Sequence, residues 1–433
     1  MIRRASAFLT WMLYRDVTVY LSPDGEAGSA PQLTVSNHFG GLADPLLVMS
    51  VMRRRPRIVA RDVIWKFPVV GRLMNWVGAI PVHKPEDSGA NRNDEMFGTA
   101  YESLREGNHL VIFPEGVTRD DPSIAPVKTG AARVVLGARA HGTPGIQITP
   151  VGIHYDDKAA LRSRVFINIG AGLDLDSFAE PYELGGETLT AENHDAVRAL
   201  TNEIERRIRD VAPDFADWPE ATAMAHAASV YLRSKLENPM RPVAMADRER
   251  LAGILGGSDE AVKAEVVSSI THYGHQLDAA HIDDRATYEE VPLGQLARYV
   301  LRNGLIIALL FPFAIIGFGI NLIPLMLMWL VGRLRYAPAM MSTVKPLAAV
   351  LFFGVTWAVA VWGTIAQWGV QGGLVAVLLM PVYLVALIVL AERLVLLLRS
   401  IRWWFRSRRS GSAKESVIAS RQQVVDAVTE GLT

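Results

Sequence analysis

Two runs without a charged side chain, 303–331 and 346–391, constrain this 433-residue chain more than any other feature. A helix of roughly 20 apolar residues spans the hydrocarbon core of a bilayer. No acidic residue occurs between Glu290 and Glu392. The runs predict a soluble-type body followed by a C-terminal α-helical membrane domain over 299–400. A turn-like segment at 367–373 divides the second run into spans 344–366 and 374–391. The first run is harder to place. As one helix it would be about 43 Å long, against a core of about 30 Å. It also holds Pro312, Gly317, Gly319, Asn321 and Pro324. A break near 317–321 would turn 303–331 into a hairpin. Charge placement favours that reading: Arg298 and Arg302 precede the region, Arg333, Arg335 and Lys345 sit in the next connection, and Arg393, Arg399, Arg402, Arg406, Arg408 and Arg409 follow. A hairpin keeps every basic cluster, both termini and the basic tail 401–433 on the cytoplasmic side.

The net charge is zero but unevenly spread. Residues 301–433 carry twelve Lys/Arg and four Asp/Glu, so +8; with 44 of each sign overall, the first 300 residues carry −8. Half the chain is hydrophobic, too apolar for a disordered or nucleic-acid-wrapping protein. Cysteine is absent, which excludes disulfides, Cys-ligated metal and a thiol nucleophile. At the N-terminus, Arg3 and Arg4 precede Phe8, Leu9, Trp11, Met12, Leu13 and Tyr14. This is too short to span a bilayer; a short interfacial helix and a helix docked on its own domain both fit.

From residue 16 to about 170 the pattern alternates. Strands are expected at 17–21, 33–36, 57–60, 110–113, 146–153 and 165–169, and helices at 42–54, 94–105 and 130–141. Alternation of this kind predicts a mixed sheet flanked by helices. Residues 63–78, apolar but broken by Pro68 and Gly71, read equally as buried core or as an element dipping into lipid. From 189 to 298 the signal is helical, with Val197, Leu200, Ile204, Ile208 and Val211 at spacings of three and four. His272, His275, His281 and Asp283 have spacings open to metal ligation, but a wet helix–loop surface is the better reading.

Three segments carry chemistry. In Ser36-Asn37-His38-Phe39-Gly40-Gly41-Leu42-Ala43-Asp44-Pro45 a strand ends, two glycines turn the chain, and Asp44 opens a helix. A carboxylate there can reach back to an imidazole nitrogen, fix its tautomer and raise its basicity; Asp44 as a plain helix cap is the bland alternative. Phe113-Pro114-Glu115-Gly116-Val117-Thr118-Arg119 follows another strand. Gly116 allows close backbone approach, and Thr118 and Arg119 offer donors to an anionic oxygen. Gly78-Ala79-Ile80-Pro81-Val82-His83-Lys84 is a turn and short strand ending in a cation. Lys128 and Arg133 add positive charge nearby in sequence.

Together these residues resemble the glycerolipid acyltransferase family, which includes lysophosphatidate and glycerol-3-phosphate acyltransferases. Asn37-His38 with Asp44 resembles the first of its four ordered blocks, Gly78 to Lys84 the second, Phe113-Pro114-Glu115-Gly116 with Thr118 the third, and Thr149-Pro150-Val151-Gly152 the fourth. The resemblance covers about 1–185, the expected catalytic domain; 186–298 would be a helical region of unknown role. Two departures stand out. Five residues separate His38 from Asp44 where the usual block has four, a longer form resembling a subgroup with yeast members and extra C-terminal membrane segments. Lys84 replaces the usual arginine, a point charge in place of a bidentate fork.

The resemblance implies acyl transfer from a thioester, acyl-CoA or acyl-carrier protein, to a hydroxyl of glycerol-3-phosphate or 1-acylglycerol-3-phosphate (lysophosphatidate). His38 would be the general base, with Asp44 orienting it. Glu115 and Gly116 would shape the acceptor pocket; Lys84, Thr118, Arg119 and Lys128 would bind substrate. No metal and no cofactor beyond the thioester co-substrate is implied. The partners would be the two substrates and the lipid bilayer, with no nucleic acid. A catalytically inactive membrane scaffold and a transporter are the readings from other classes. The uncharged spans argue against coupled ion transport.

Overall fold

The structure, a computed structural model, describes residues 2–25, 28–54, 56–66, 68–82, 91–157, 162–183, 189–237, 241–280, 284–287, 293–334, 338–407 and 413–432. It divides into two compact units: Met1–Ala225 with Ala244–Gly257 and Ala337–Thr343, and His226–Val243 with Ser258–Tyr336 and Val344–Thr433.

In the first unit the order is α1 (Ile2–Leu13), β1 (Tyr14–Leu21), β2 (Gln32–Ser36), α2 (Ala43–Val51), β3 (Pro56–Arg61), α3 (Pro68–Val77), β4 (Ile80–Val82), α4 (Asn91–Arg105), β5 (His109–Ile112), α5 (Gly130–Ala140), β6 (Gln147–Tyr155), β7 (Ser163–Ile169), β8 (Leu173–Asp174), α6 (Leu175–Ala179), α7 (His194–Arg209), α8 (Trp218–Ser234), whose last turns fall outside the unit, and α9 (Met245–Gly256). The strands form one sheet in the order β1-β7-β6-β2-β5-β3-β4, with β8 also paired to β6. All pairs are parallel except β6 with β7 and with β8. A parallel sheet is buried on both faces. On one face Leu33, Val35, Leu110, Ile146 and Ile148 meet α4, α5 and α7. On the other Ile58, Val111, Val151 and Ile153 meet α2, whose Leu47 and Val48 are fully covered, as is Met52 just after it. The expected mixed sheet flanked by helices is therefore present.

Two elements of this unit bear on readings the sequence left open. α1 packs against α2 and buries Ser6 and Thr10, leaving Phe8 exposed. The 63–78 segment makes a small cluster of Met74, Val77 and Ala79 against Ile64 and Trp65, with Trp76 exposed. The expected boundary at residue 185 falls inside the unit. α7 buries Val197, Leu200, Ile204 and Ile208 in the same core as β2 and β5. The periodicity announced an amphipathic helix; what that apolar stripe covers depends on tertiary packing.

The second unit contains α10 (Glu260–Ala280), α11 (Leu293–Arg333), α12 (Pro338–Ser407, first residues outside the unit) and α13 (Ala413–Glu430). α10 packs on α13, and Tyr273 of α10 donates to Asp284 at 2.7 Å. His281 and Asp283 lie outside the described residues. Within α11 and α12, Ala297–Arg333 and Thr343–Val395 are long and apolar enough to cross a membrane. The hairpin expected over 303–331 is not formed: α11 is one unbroken helix containing Pro312 and Pro324. The residues read as a hairpin tip make lateral contacts instead. Gly317 lies against the Tyr383 carbonyl, where any side chain would collide. Asn321, fully buried, donates to the Gly317 carbonyl at 2.8 Å and accepts the Trp357 indole N–H at 2.9 Å. With both amide ends satisfied, nothing drives the helix to open there. The division expected at 367–373 is present: α12 is broken at Gly369, which has φ 70° and ψ −172°.

Candidate active site

The site forms at the C-terminal ends of β2 and β5, central strands of the sheet. β2 ends at Ser36, and Asn37 clamps the following loop to β6. Its amide donates to the Ile153 carbonyl at 3.0 Å and accepts the Ile153 N–H at 2.8 Å. His38 comes next, its ring stacked on Phe113 at 4.4 Å between centroids. Gly40 and Gly41 turn the chain into α2, Gly41 at φ 53°, a conformation that favours glycine. Asp44 then sits in the first turn of α2.

His38 Nδ1 lies 2.8 Å from Asp44 Oδ2. Asp44 is fully buried, whereas the imidazole side chain is 19% exposed. The Gly40 N–H also donates to Asp44 Oδ2, at 2.8 Å. With Nδ1 as the donor to the carboxylate, Nε2 is the nitrogen left to take a proton. The extra residue between His38 and Asp44 is thus absorbed in the glycine turn without parting the pair.

Glu115 is 1% exposed, and both its oxygens are engaged: Oε1 accepts the His38 backbone N–H at 2.8 Å and Oε2 the Ala125 N–H at 3.0 Å. Burial raises its pKa above the usual carboxylate range, against the pull of these amides and of His38. Its carboxylate therefore braces the loop that carries the imidazole. Gly116, at φ 66°, follows; a Cβ there would come within 2.7 Å of the Lys128 ammonium, so Lys128 lies directly over this turn. Thr118 is half-buried, and Arg119 is paired with Asp121. Among the described residues neither is bonded to His38 or Asp44. Lys84 lies outside the described residues.

Sequence reasoning missed one member of the constellation. Tyr155, at the end of β6, donates to Asp44 Oδ1 at 2.5 Å. Burial first, then the Asp44 charge, pushes its pKa well up. Its only sequence signal is a hydroxyl-bearing aromatic at the end of an apolar strand. The arrangement can do one kind of chemistry well: take a proton from a hydroxyl approaching Nε2, with no nucleophilic thiol in the chain.

Comparison with known proteins gives the class. Residues 18–154 match the acyltransferase family, so the first unit carries an acyltransferase domain. The resemblance read from the four blocks thus stands. Over 193 residues the chain is 26% identical to glycerol-3-phosphate O-acyltransferase 2 of Saccharomyces cerevisiae, covering 44% of this chain and 25% of that one. Glycerol-3-phosphate O-acyltransferase 1 of the same yeast is 23% identical over 197 residues, covering 45% and 25%. A lyso-ornithine lipid O-acyltransferase of Rhodobacter capsulatus is 27% identical over 123 residues, covering 28% and 41%. The match therefore spans about a quarter of the length of the yeast relatives.

Proposed function

We propose that this protein is a membrane-bound O-acyltransferase. It moves a fatty acyl group from acyl-CoA or acyl-carrier protein to glycerol-3-phosphate or 1-acylglycerol-3-phosphate, in phospholipid biosynthesis. The observation that carries the reading is the buried Asp44 carboxylate, 2.8 Å from Nδ1 of a partly exposed His38. In this mechanism His38 Nε2 takes the proton of the acceptor hydroxyl. The oxygen attacks the thioester carbonyl, the C–S bond breaks, and the proton leaves with the thiolate. Lys128 beside Gly116, with Thr118, Arg119 and Lys84, supplies donors for the acceptor phosphate. α11 and α12 supply the membrane anchor. The body faces the cytoplasm, where thioester donors are made.

The purified full chain is tested with a labelled acyl thioester, CoA-linked or carrier-linked, and each acceptor in turn. Acylation of either acceptor that disappears in His38→Ala is the expected result; transfer at the wild-type rate in that variant would overturn the mechanism. Lys128→Ala should raise the acceptor KM more than the thioester KM, and the reverse would exchange the two substrate sides. For sidedness, Glu106→Cys in this cysteine-free chain should react with an impermeant maleimide only after the cells are opened.

A further inference from the structure

We propose that Tyr155 is a positioning residue for the general base: its hydroxyl holds the Asp44 oxygen that faces away from His38, so that the other oxygen meets Nδ1. The proposal rests on the reading of His38 as the base. Tyr155 lies one residue beyond the stretch matched to the family.

Three observations carry it. First, the two oxygens of Asp44 have separate partners. Oδ2 accepts from Gly40 N–H and lies against His38 Nδ1, both at 2.8 Å, whereas Tyr155 is the partner of Oδ1. A fully buried carboxylate oxygen without a donor is costly, so this hydroxyl defines how the carboxylate is turned. Second, β6 controls the loop twice. Ile153 and Tyr155 lie two residues apart, on one face of the strand. Ile153 holds Asn37, which precedes the base, and Tyr155 holds Asp44, which orients it. Third, the chain makes room for the contact. A Cβ on Gly40 would overlap the Tyr155 hydroxyl and lie 2.6 Å from Asp44 Oδ1, so glycine is required there by close approach.

The titratable groups facing this carboxylate are His38 on its own loop, Tyr155 on β6, Tyr14 at the start of β1 and Glu115 after β5. The Tyr14 and Tyr155 rings lie 5.9 Å apart. Burial raises the pKa of both phenols, which favours a protonated Tyr155 as the donor to Asp44.

The test is Tyr155→Phe in the full chain, which keeps the ring and removes the hydroxyl. We expect kcat to fall roughly 10–100-fold, the scale for losing a partner that orients a working side chain. Both KM values should stay within about twofold. Without the second donor, the carboxylate charge concentrates on the oxygen facing Nδ1–H and favours the imidazolium. The acid limb of the kcat/KM profile then moves to higher pH. A lowered Tm with unchanged kcat per folded molecule and an unmoved acid limb would show a merely structural tyrosine and overturn the proposal. If the wild-type chain acylates no acceptor, the functional reading falls separately. The His38 titration followed by NMR in wild type and Tyr155→Phe then decides the positioning, and identical titrations sink it.

Discussion

Several buried polar groups of the two units differ in how far along the chain their partners lie. In the first, partners come from far along the chain: Asn37 with Ile153, the His38 amide with Glu115, Asp44 with Tyr155. In the second, among the described residues, buried Asn303 and Asn321 give their amides to their own helix four residues back, to Tyr299 and Gly317. Only the amide oxygen reaches a neighbour, Arg393 at 3.2 Å and Trp357 at 2.9 Å. The sheet unit thus holds the His38–Asp44 pair by bonds between elements, and losing one misaims a side chain. The helical unit fixes packing by bonds that a helix can lose without changing course.

The largest break of this contrast is His38→Ala, which should cost acyl transfer about 10²–10⁴-fold, roughly 3–5 kcal/mol of barrier, and leave folding intact. Asp44→Asn should approach it by favouring the wrong tautomer. Steady-state kinetics with a matched thermal melt reads both; a large loss of Tm in His38→Ala would mean the imidazole is part of the core.

Glu115→Gln is smaller but mixed. A carboxamide offers one acceptor where two backbone N–H groups need one each, so the His38 or the Ala125 amide loses its partner. That predicts a loss of stability of about 1–3 kcal/mol together with a fall in kcat. Denaturant melts and turnover on the same sample check it. Loss of only one of the two would separate the brace from the base.

His109 sharpens the comparison from the other end of β5. Its Nε2 lies 2.7 Å from the Thr34 hydroxyl. Burial, with a contribution from the Arg54 charge, lowers its pKa from 6.5 to about 4. A depressed folded pKa means the unfolded chain binds more protons between those values. Stability is therefore lost as pH falls from about 6.5 to about 4, by roughly 3 kcal/mol at most. His109→Gln should flatten that window in melts recorded from pH 7 to pH 5, and an unchanged slope would assign the acid lability elsewhere.

In the helical unit, Asn321→Leu should cost only about 0.6 kcal/mol, the scale of a hydrogen bond between membrane helices. A melt in detergent measures it. A cost as large as that of Glu115→Gln would erase the distinction between the units.

Much of the first unit was legible in the chain. Strands expected at 33–36, 110–113 and 165–169 are β2, β5 and β7 within two residues, because apolar strands between turn signals need little context. Asn37, His38, Asp44 and Glu115 were legible as blocks, since a strand-end turn and a helix start set their spacing locally. The role of Glu115 was not legible. A carboxylate beside a glycine turn reads as facing substrate, and only the fold brings the His38 and Ala125 amides onto it.

The sequence by itself determined the classes of material: an α/β body with a His–Asp pair at a strand end, then uncharged helices divided within 367–373, where the structure puts the break at Gly369. These follow from periodicity, charge and turn chemistry, which act over a few residues. Tertiary structure alone decided the rest. Tyr155 meets Asp44 across 111 positions, α7 joins the core of the sheet, and Gly317 and Asn321 hold α11 against its neighbours instead of breaking it. In each case the deciding term is a bond or a close contact whose partner lies far away in the chain, so no local pattern announces it.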